Sequence, residues 1–542
     1  MANVTYDNLL SYVKDKIYII EEISDNIEFH KLIKKRLKAA RNGNPKERLQ
    51  FIEYIYTLLN EEIQLEDNEP IYLKDYIDIL VSLEKLNVME KFELLLLLNL
   101  SIDEKTGYEN GFNVIRKKYD YKKESEDGQN IYYEYTSDDI EKIFNSETNS
   151  SNISSDIKFK FLARKIYAES YGLLSIDTLA YSSINEVGIN NDGKYIFAWD
   201  EDKIHLSFMK ISEVETRKIQ ERSIAFDEKA GALNSGNPEV LCYRYDNARV
   251  TALQAPYSSA RTLRIRIFNK QKNSFKDIVT DKTQQVLLKT IIKSGQTLCL
   301  QGGLGTGKTT AMEVLLEVLD DKLHIGTVED YFEQNNMKKY PNKGIVELQE
   351  LKEKDILTSV KSLFRLSVDI ANVGEARDGN AVFAFIQLAQ AIPGAAMFTT
   401  HIARPEDTVP RLKNMLITTN NYTNENSAII DIVEYVNIIV QHEIIDNKRR
   451  ISKIVEIIPQ KVDVEEINIS METEIEKLYK LKTILDIQSN PRFLYKLNTL
   501  LEFQDNEYRV INKPSNYFMN KVKSNCSSDE INEFNNYFCE RT

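Results

Sequence analysis

The chain has 542 residues, too many for one hydrophobic core, and its length predicts several domains. With 28% charged and 42% hydrophobic residues, its composition fits a soluble globular protein. The net charge of −13 argues against a protein that coats nucleic acid, because phosphate backbones are held by clustered Lys and Arg; a local basic stripe stays compatible with it.

The start, "MANVTYDNLLSYVKDK", is polar and amphipathic and does not read as a signal peptide. Residues 1–120 repeat apolar positions at three- and four-residue spacing with little Gly or Pro, as in "FIEYIYTLLNEEI". They predict a helical N-terminal domain, of the kind that docks or spaces. Its most apolar run, "FELLLLLNLSI", is about half the length a bilayer needs and contains Glu93, so no transmembrane helix is predicted. Residues 121–155, with "KKESEDGQN" and "NSETNSSNISSD", read as a linker or long loop. Residues 156–275 read as a small α+β domain. Helix returns at "DIKFKFLARKIYAESYGLL", Asn191-Asp192-Gly193 sits between alternating runs as a hairpin turn, and "ARVTAL" and "TLRIRIF" read as further strands.

From 276 the pattern becomes strand, helix, strand, helix. "TLCLQGG", "LHIGTVED", "DIANVGE" and "AAMFTTH" are apolar strands divided by helical stretches, which predicts an open, largely parallel sheet. "YVNIIVQHEII" and "RRISKIVEII" flank Asp446-Asn447-Lys448 and read as an antiparallel hairpin that closes this domain near 460. Residues 461–542 read as a polar, helical C-terminal tail. The four cysteines, at 242, 299, 526 and 539, show no CxxC spacing, so neither a zinc site nor a disulfide framework is implied, and a reducing, cytosolic setting fits them.

The chemistry concentrates in "GGLGTGKTT". Gly302, Gly307, Lys308 and Thr309 satisfy G-x-x-x-x-G-K-[ST] between a strand and a helix. Gly303 and Gly305 let backbone N–H groups turn inward on a phosphate, with Leu304 and Thr306 between the glycines. The helix that follows points its positive end at the same anion. Lys308 supplies a point charge, Thr309 a hydroxyl for Mg²⁺, and Thr310 continues the helix. Hydrolysis also needs a carboxylate at the end of a neighbouring strand to orient or activate water. Glu375 follows the apolar strand "DIANVGE", although Asn372 interrupts that strand; Glu375 is the candidate for water activation or for organising Mg²⁺. A second acidic group, Glu329, Asp330 and Glu333, follows another strand. His401, one of five histidines, ends a further strand and could sense a γ-phosphate by hydrogen bonding.

Together these stretches resemble the secretion, or traffic, ATPases of type II secretion, type IV pili and type IV secretion systems. The Walker A loop, an Asp box similar to "TVEDYFE", a short Walker B ending in Gly374-Glu375, and a His box similar to "TTHIARP" occur in that family's order. The likeness is closest to the branch that drives Tad-type pili, through Gly374-Glu375-Ala376-Arg377, Pro405-Glu406-Asp407 and Arg411-Leu412. It covers residues 160–460. Tyr331 and Val368 stand where the family often has Pro, and Ala403 where it often has Asn, which marks a divergent branch.

The resemblance implies a RecA-like P-loop ATPase core, preceded by a smaller α+β N-terminal domain and, before that, the helical region. It implies ATP and Mg²⁺ as cofactors, with ATP held between the α+β and RecA-like domains. Arg249 and Arg266 match family arginines that approach nucleotide. It further implies a homohexamer, cytoplasmic but peripheral to the membrane, that works on a polytopic inner-membrane platform protein and on pilin or secretion machinery. Turnover would make the two domains rotate, because contacts to His401 and the arginines are lost with the γ-phosphate. The acidic balance disfavours direct DNA binding, but a conjugative, type IV secretion or DNA-uptake machine built on the same core stays open. So does a scaffold that binds ATP without turning it over.

Overall fold

The computed structural model describes residues 4–22, 27–63, 71–119, 122–124, 131–149, 153–200, 202–225, 230–267, 274–330, 332, 334, 336–351, 354–446, 448–460, five scattered positions between 473 and 482, and 494–538. The chain divides into two units, residues 1–270 and 271–542.

The first unit opens with helices α1 (Tyr6–Glu22), α2 (Ile27–Arg41) and α3 (Pro45–Asn60). Asn44 sets the start of α3. Its side chain accepts from the N–H groups of Lys46 and Glu47, and Pro45 takes the first helical position, where its missing N–H costs nothing. The apolar run at 88–98 is helix α4 (Val88–Leu98), started by a reciprocal Asn87–Glu90 cap and buried through Phe92, Leu94, Leu95 and Leu96. Helices α5 (Gly111–Lys118), α6 (Ser137–Asn149), α7 (Ser155–Ser170) and α8 (Glu213–Ile224) follow.

An eight-stranded sheet completes the unit. Its strands are β1 (Lys122–Glu124), β2 (Ile131–Tyr135), β3 (Glu186–Asn190), β4 (Tyr195–Trp199), β5 (Lys203–Leu206), β6 (Glu239–Tyr243), β7 (Arg249–Leu253) and β8 (Thr262–Arg266), in the order β1-β2-β5-β4-β3-β8-β7-β6. The turn from β3 to β4 runs through Asn191, Asp192 and Gly193, all at positive φ, the turn chemistry expected there.

The described part of 121–155 differs from the expected linker. β2 pairs in parallel with β5, and α6 buries Ile140, Ile143 and Phe144. Those few apolar residues recur at helical spacing inside polar text, which masked the signal. The helical region and the α+β region also share one core, from Leu9 to Ile267.

The second unit is a nine-stranded sheet between two helical layers. Its strands are β9 (Leu298–Gly302), β10 (His324–Glu329), β11 (Gly344–Gln349), β12 (Ile370–Val373), β13 (Ala396–Thr400), β14 (Ile438–Ile445), β15 (Lys448–Pro459), β16 (Tyr495–Gln504) and β17 (Glu507–Val510). The order is β11-β10-β12-β13-β9-β14-β15-β16-β17, parallel from β11 to β14 and antiparallel beyond. One face packs helices α9 (Lys282–Lys293) and α10 (Lys308–Leu315). The other packs α11 (Ile356–Phe364), α12 (Gly379–Ala391), α13 (Thr408–Ile417) and α14 (Glu425–Tyr435). A single strand, β13, separates the glycine-loop strand β9 from β12, which leads to Glu375. This is the RecA-like arrangement, and it brings the loops after β9, β10, β12 and β13 to one edge.

The C-terminal stretch differs from the expected helical tail. After β15 the sheet gains β16 and β17, and helices α15 (Asn516–Asn525) and α16 (Ser528–Phe538) return to the α9–α10 face. Phe518, Phe534 and Phe538 are fully buried there, with stacked rings at centroid spacings of 5.8 and 4.8 Å. Strand β11 was also not expected; it is an edge strand, half-buried along most of its length, and lacks the apolar run of the central strands. Asn447, at the β14–β15 turn, lies outside the described residues.

Candidate functional site

The loop after β9 is shaped by close backbone contact. Gly302 has φ 147° and lies so near the carbonyl oxygen of His442, its register partner on β14, that a Cβ there would sit 2.1 Å from that oxygen. Gly307, at φ 91°, caps α10 in a left-handed conformation that a side chain would strain. Between them the Thr306 hydroxyl donates to the Gly303 carbonyl at 2.9 Å, and Leu304 stands out at the tip, 77% exposed. Lys308 folds back over the loop: its ammonium donates to the carbonyls of Gly302 (2.9 Å) and Gly303 (2.7 Å). Gly305 also has positive φ, and Thr309 and Thr310 are half-buried in the first turn of α10. The first N–H groups of that helix have no helical acceptor, so loop and helix together form an anion cradle.

Two strand ends meet this cradle. His401 follows β13, with Nδ1 3.1 Å from Lys308 Nζ and Nε2 2.9 Å from Glu375 Oε1. An imidazole that carries its proton on Nε2 satisfies both, accepting from the ammonium and donating to the carboxylate. Arg377 donates to the other oxygen of Glu375 at 2.8 Å and to Asp330 at 2.6 Å. The result is a chain of alternating groups, Lys308, His401, Glu375, Arg377 and Asp330. Burial works to raise the pKa of Glu375, but the hydrogen bond and charge of Arg377, with His401 and Lys308 behind, outweigh it and hold the carboxyl below its usual range.

Glu329 ends β10 and is 5% exposed. It lies against Gly374: a Cβ on that glycine would come 3.0 Å from Glu329 Cγ. The Glu329 side chain therefore occupies the space a larger residue before Glu375 would need. One of its oxygens accepts from the Gln334 N–H at 3.4 Å. Tyr331 and Glu333 lie outside the described residues. Asn372, which interrupts the β12 run, is fully buried opposite Thr327 on β10. Arg249 and Arg266 belong to the first unit, where they face each other across β7 and β8, both half-buried.

Several contributors were not legible as site residues. Arg377 stood only as a letter of a motif, and its pairing with Asp330 and Glu375 is a tertiary fact. His442 has a fully enclosed imidazole; burial, and then the charge of Lys308, lower its pKa to about 3. Gln301, Gln441 and Thr408 are buried polar residues on strands and a helix start, and carry no motif signal.

The residues of the cradle suit a phosphate group: a glycine-rich loop with positive φ at Gly302, Gly305 and Gly307, the start of α10, and the Lys308 ammonium held over the loop. Among the described residues no group of three or more His, Cys, Asp or Glu is placed to hold a metal alone. The residues that would hold a Mg²⁺ brought with the phosphates are Thr309, by its hydroxyl, and Glu375, by its carboxylate. Among the described residues no helix is long and apolar enough to cross a membrane.

Residues 243–485 match the family model described as Type II/IV secretion system protein. Sequence comparison with curated proteins gives no match. Similar solved structures include the VirB11 ATPase from the Brucella suis type IV secretion system in complex with sulphate, at 17% identity, covering 50% of this chain and 88% of that one, with a TM-score of 0.28. They also include the Legionella pneumophila ATPase DotB, at 17% identity, with coverage of 58% and 85% and a TM-score of 0.39. A third is the pilus retraction motor PilT with bound ADP, at 16% identity, with coverage of 56% and 86% and a TM-score of 0.38. Over residues 243–485 the chain thus carries a domain of the type II/IV secretion system protein family.

Proposed function

We propose that the protein hydrolyses ATP and, as a homohexameric motor at the cytoplasmic face of a membrane, drives a pilus of the Tad-like type IV kind or a secretion machine through a polytopic membrane partner. The observation that carries this reading is the unbroken link from the phosphate-loop lysine through His401 to Glu375. It joins the groups that hold a triphosphate to the group that handles water.

Each residue has a physical role in this reading. The loop amides of 303–309 and the Lys308 ammonium bind the β- and γ-phosphates, and Thr309 and Glu375 would hold Mg²⁺. Bound Mg²⁺ supplies charge neutralisation at the phosphate oxygens. Glu375, kept ionised by Arg377, is a weak base, so it acts by orienting the attacking water more than by taking its proton early. His401 reports on the γ-phosphate side of Lys308, since any anion there competes with the imidazole for the ammonium. The membrane partner and the pilin or secretion machinery follow from the family and not from a surface of this chain.

The test is phosphate release from Mg-ATP by the purified chain. Lys308→Ala should abolish turnover and weaken nucleotide binding. Glu375→Gln should keep binding and lose turnover by about 100-fold or more. Undiminished turnover in Lys308→Ala would refute the assigned loop, and in Glu375→Gln would move the water-handling role to Glu329.

A further inference from the structure

Behind the cradle, on the opposite face of β9 from Lys308, runs a second polar chain that the proposed chemistry does not use. Thr408 Oγ1 donates to Gln301 Oε1 at 2.7 Å, Gln301 Nε2 donates to Gln441 Oε1 at 2.8 Å, and Gln441 Nε2 donates to the Ala403 carbonyl at 2.8 Å. All three side chains are at most 1% exposed. The direction of the whole chain follows from one end. A carbonyl can only accept, so Gln441 must present its amide N–H to Ala403, and the remaining orientations are forced in turn.

The two outer contacts fall on the same short segment. Ala403 lies two residues after His401, and Thr408 begins α13. Gln301 immediately precedes Gly302, whose carbonyl receives Lys308 and lies 3.3 Å from His401 Nδ1. Gln301 is also paired in register with both Thr400 and Gln441. The segment 401–408 is therefore fastened at Thr408 to β9, the strand that carries the phosphate loop, and at Ala403 to its neighbour β14, and the two anchors are themselves joined by the Gln301–Gln441 bond. Buried, hydrogen-bonded amides of this kind are costly to break and hold one geometry.

We infer that Gln301, Gln441 and Thr408 are positioning residues for His401: they tie its segment to the glycine-loop strand β9 and to the adjacent β14, so that the imidazole keeps its reach to both Lys308 and Glu375. The catalytic consequence rests on the proposed ATP hydrolysis; the positioning itself does not.

The experiment uses the full chain with labelled histidine, the His401 resonance being assigned by its loss in His401→Ala. Thr408→Val, which keeps shape but removes the donor, should shift the His401 signal and leave that of His205 in place; Thr408→Ser should restore it. An unmoved His401 signal in Thr408→Val overturns the inference. For turnover, Thr408→Val should lower kcat about 10- to 100-fold while KM for ATP changes less than about threefold. In a His401→Ala background the same change should cost nothing more, and an additive loss overturns the inference. If the parent chain shows no turnover, the proposed function falls and the His401 resonance alone decides the positioning role. Should Thr408→Val not fold, Gln441→Met is read by the same two measurements.

Discussion

At the scale of single residues, burial and charge partners decide what each ionisable group does. Glu375 and Glu93 show the two outcomes. Glu375 is half-buried but stays ionised, because Arg377 and His401 face it. Glu93, on α4, has the Thr178 hydroxyl at 2.6 Å; burial raises its pKa to about 7, with Thr178 working the other way. The sign of the pH effect follows. Between pH 4.5, its ordinary value, and about 7, the folded chain binds a proton that the unfolded chain releases, so this group's stabilising contribution is full below that window and lost as pH rises through it. Glu93→Gln keeps an acceptor for Thr178 and cannot ionise. The variant should gain thermal stability over the parent at pH 8 and not at pH 4.5, as measured by unfolding midpoints at both values. Equal differences at the two pH values would reject the protonated carboxyl.

At the scale of elements, the glycine loop makes a graded prediction. Gly302→Ala forces a methyl into the His442 carbonyl, whereas a Cβ at Gly303 meets nothing nearer than Thr306 Cγ2 at 3.8 Å. Gly302→Ala should lose nucleotide binding and destabilise by about 2 kcal/mol or more, with Gly303→Ala within about 1 kcal/mol of the parent. Nucleotide titration and urea unfolding of the two variants check this. The loop, the strand ends bearing Glu329, Glu375 and His401, and the largely parallel character of the sheet were legible because their signals are contiguous in the chain. The unforeseen parts depend on distant partners. β16 owes its place to pairing with β15, and α16 to the ring stack with Phe518. The bond from Arg377 to Asp330 joins loops that only the sheet brings together. Within 121–155, three buried apolar residues of α6 outweigh the polar composition that surrounds them, which a window average cannot register.

At the scale of the molecule, the chain holds two units with separate cores, and the first is knit by buried charge. Arg48 of α3, 1% exposed, meets Asp177 at 2.7 Å and Glu109 at 2.5 Å, and Glu109 also receives Arg164 at 2.9 Å. Arg48→Met strands Asp177 without its cation and should destabilise the first unit by about 3–5 kcal/mol. Nucleotide affinity should stay within about twofold, because the hydrogen bonds that shape the glycine loop lie within the 271–542 unit. Denaturant unfolding followed in parallel with nucleotide titration tests both halves; an unshifted first transition would refute the role assigned to Arg48.

That buried cation has a consequence for how such chains can be recombined. Its counter-ions, Glu109 and Asp177, come from two distant stretches of sequence, so the opening helices are not a cassette that can be exchanged between homologues. A chimera joined near residue 150 would inherit half of a charge cluster from each parent. One joined at 270 would transplant the cluster whole.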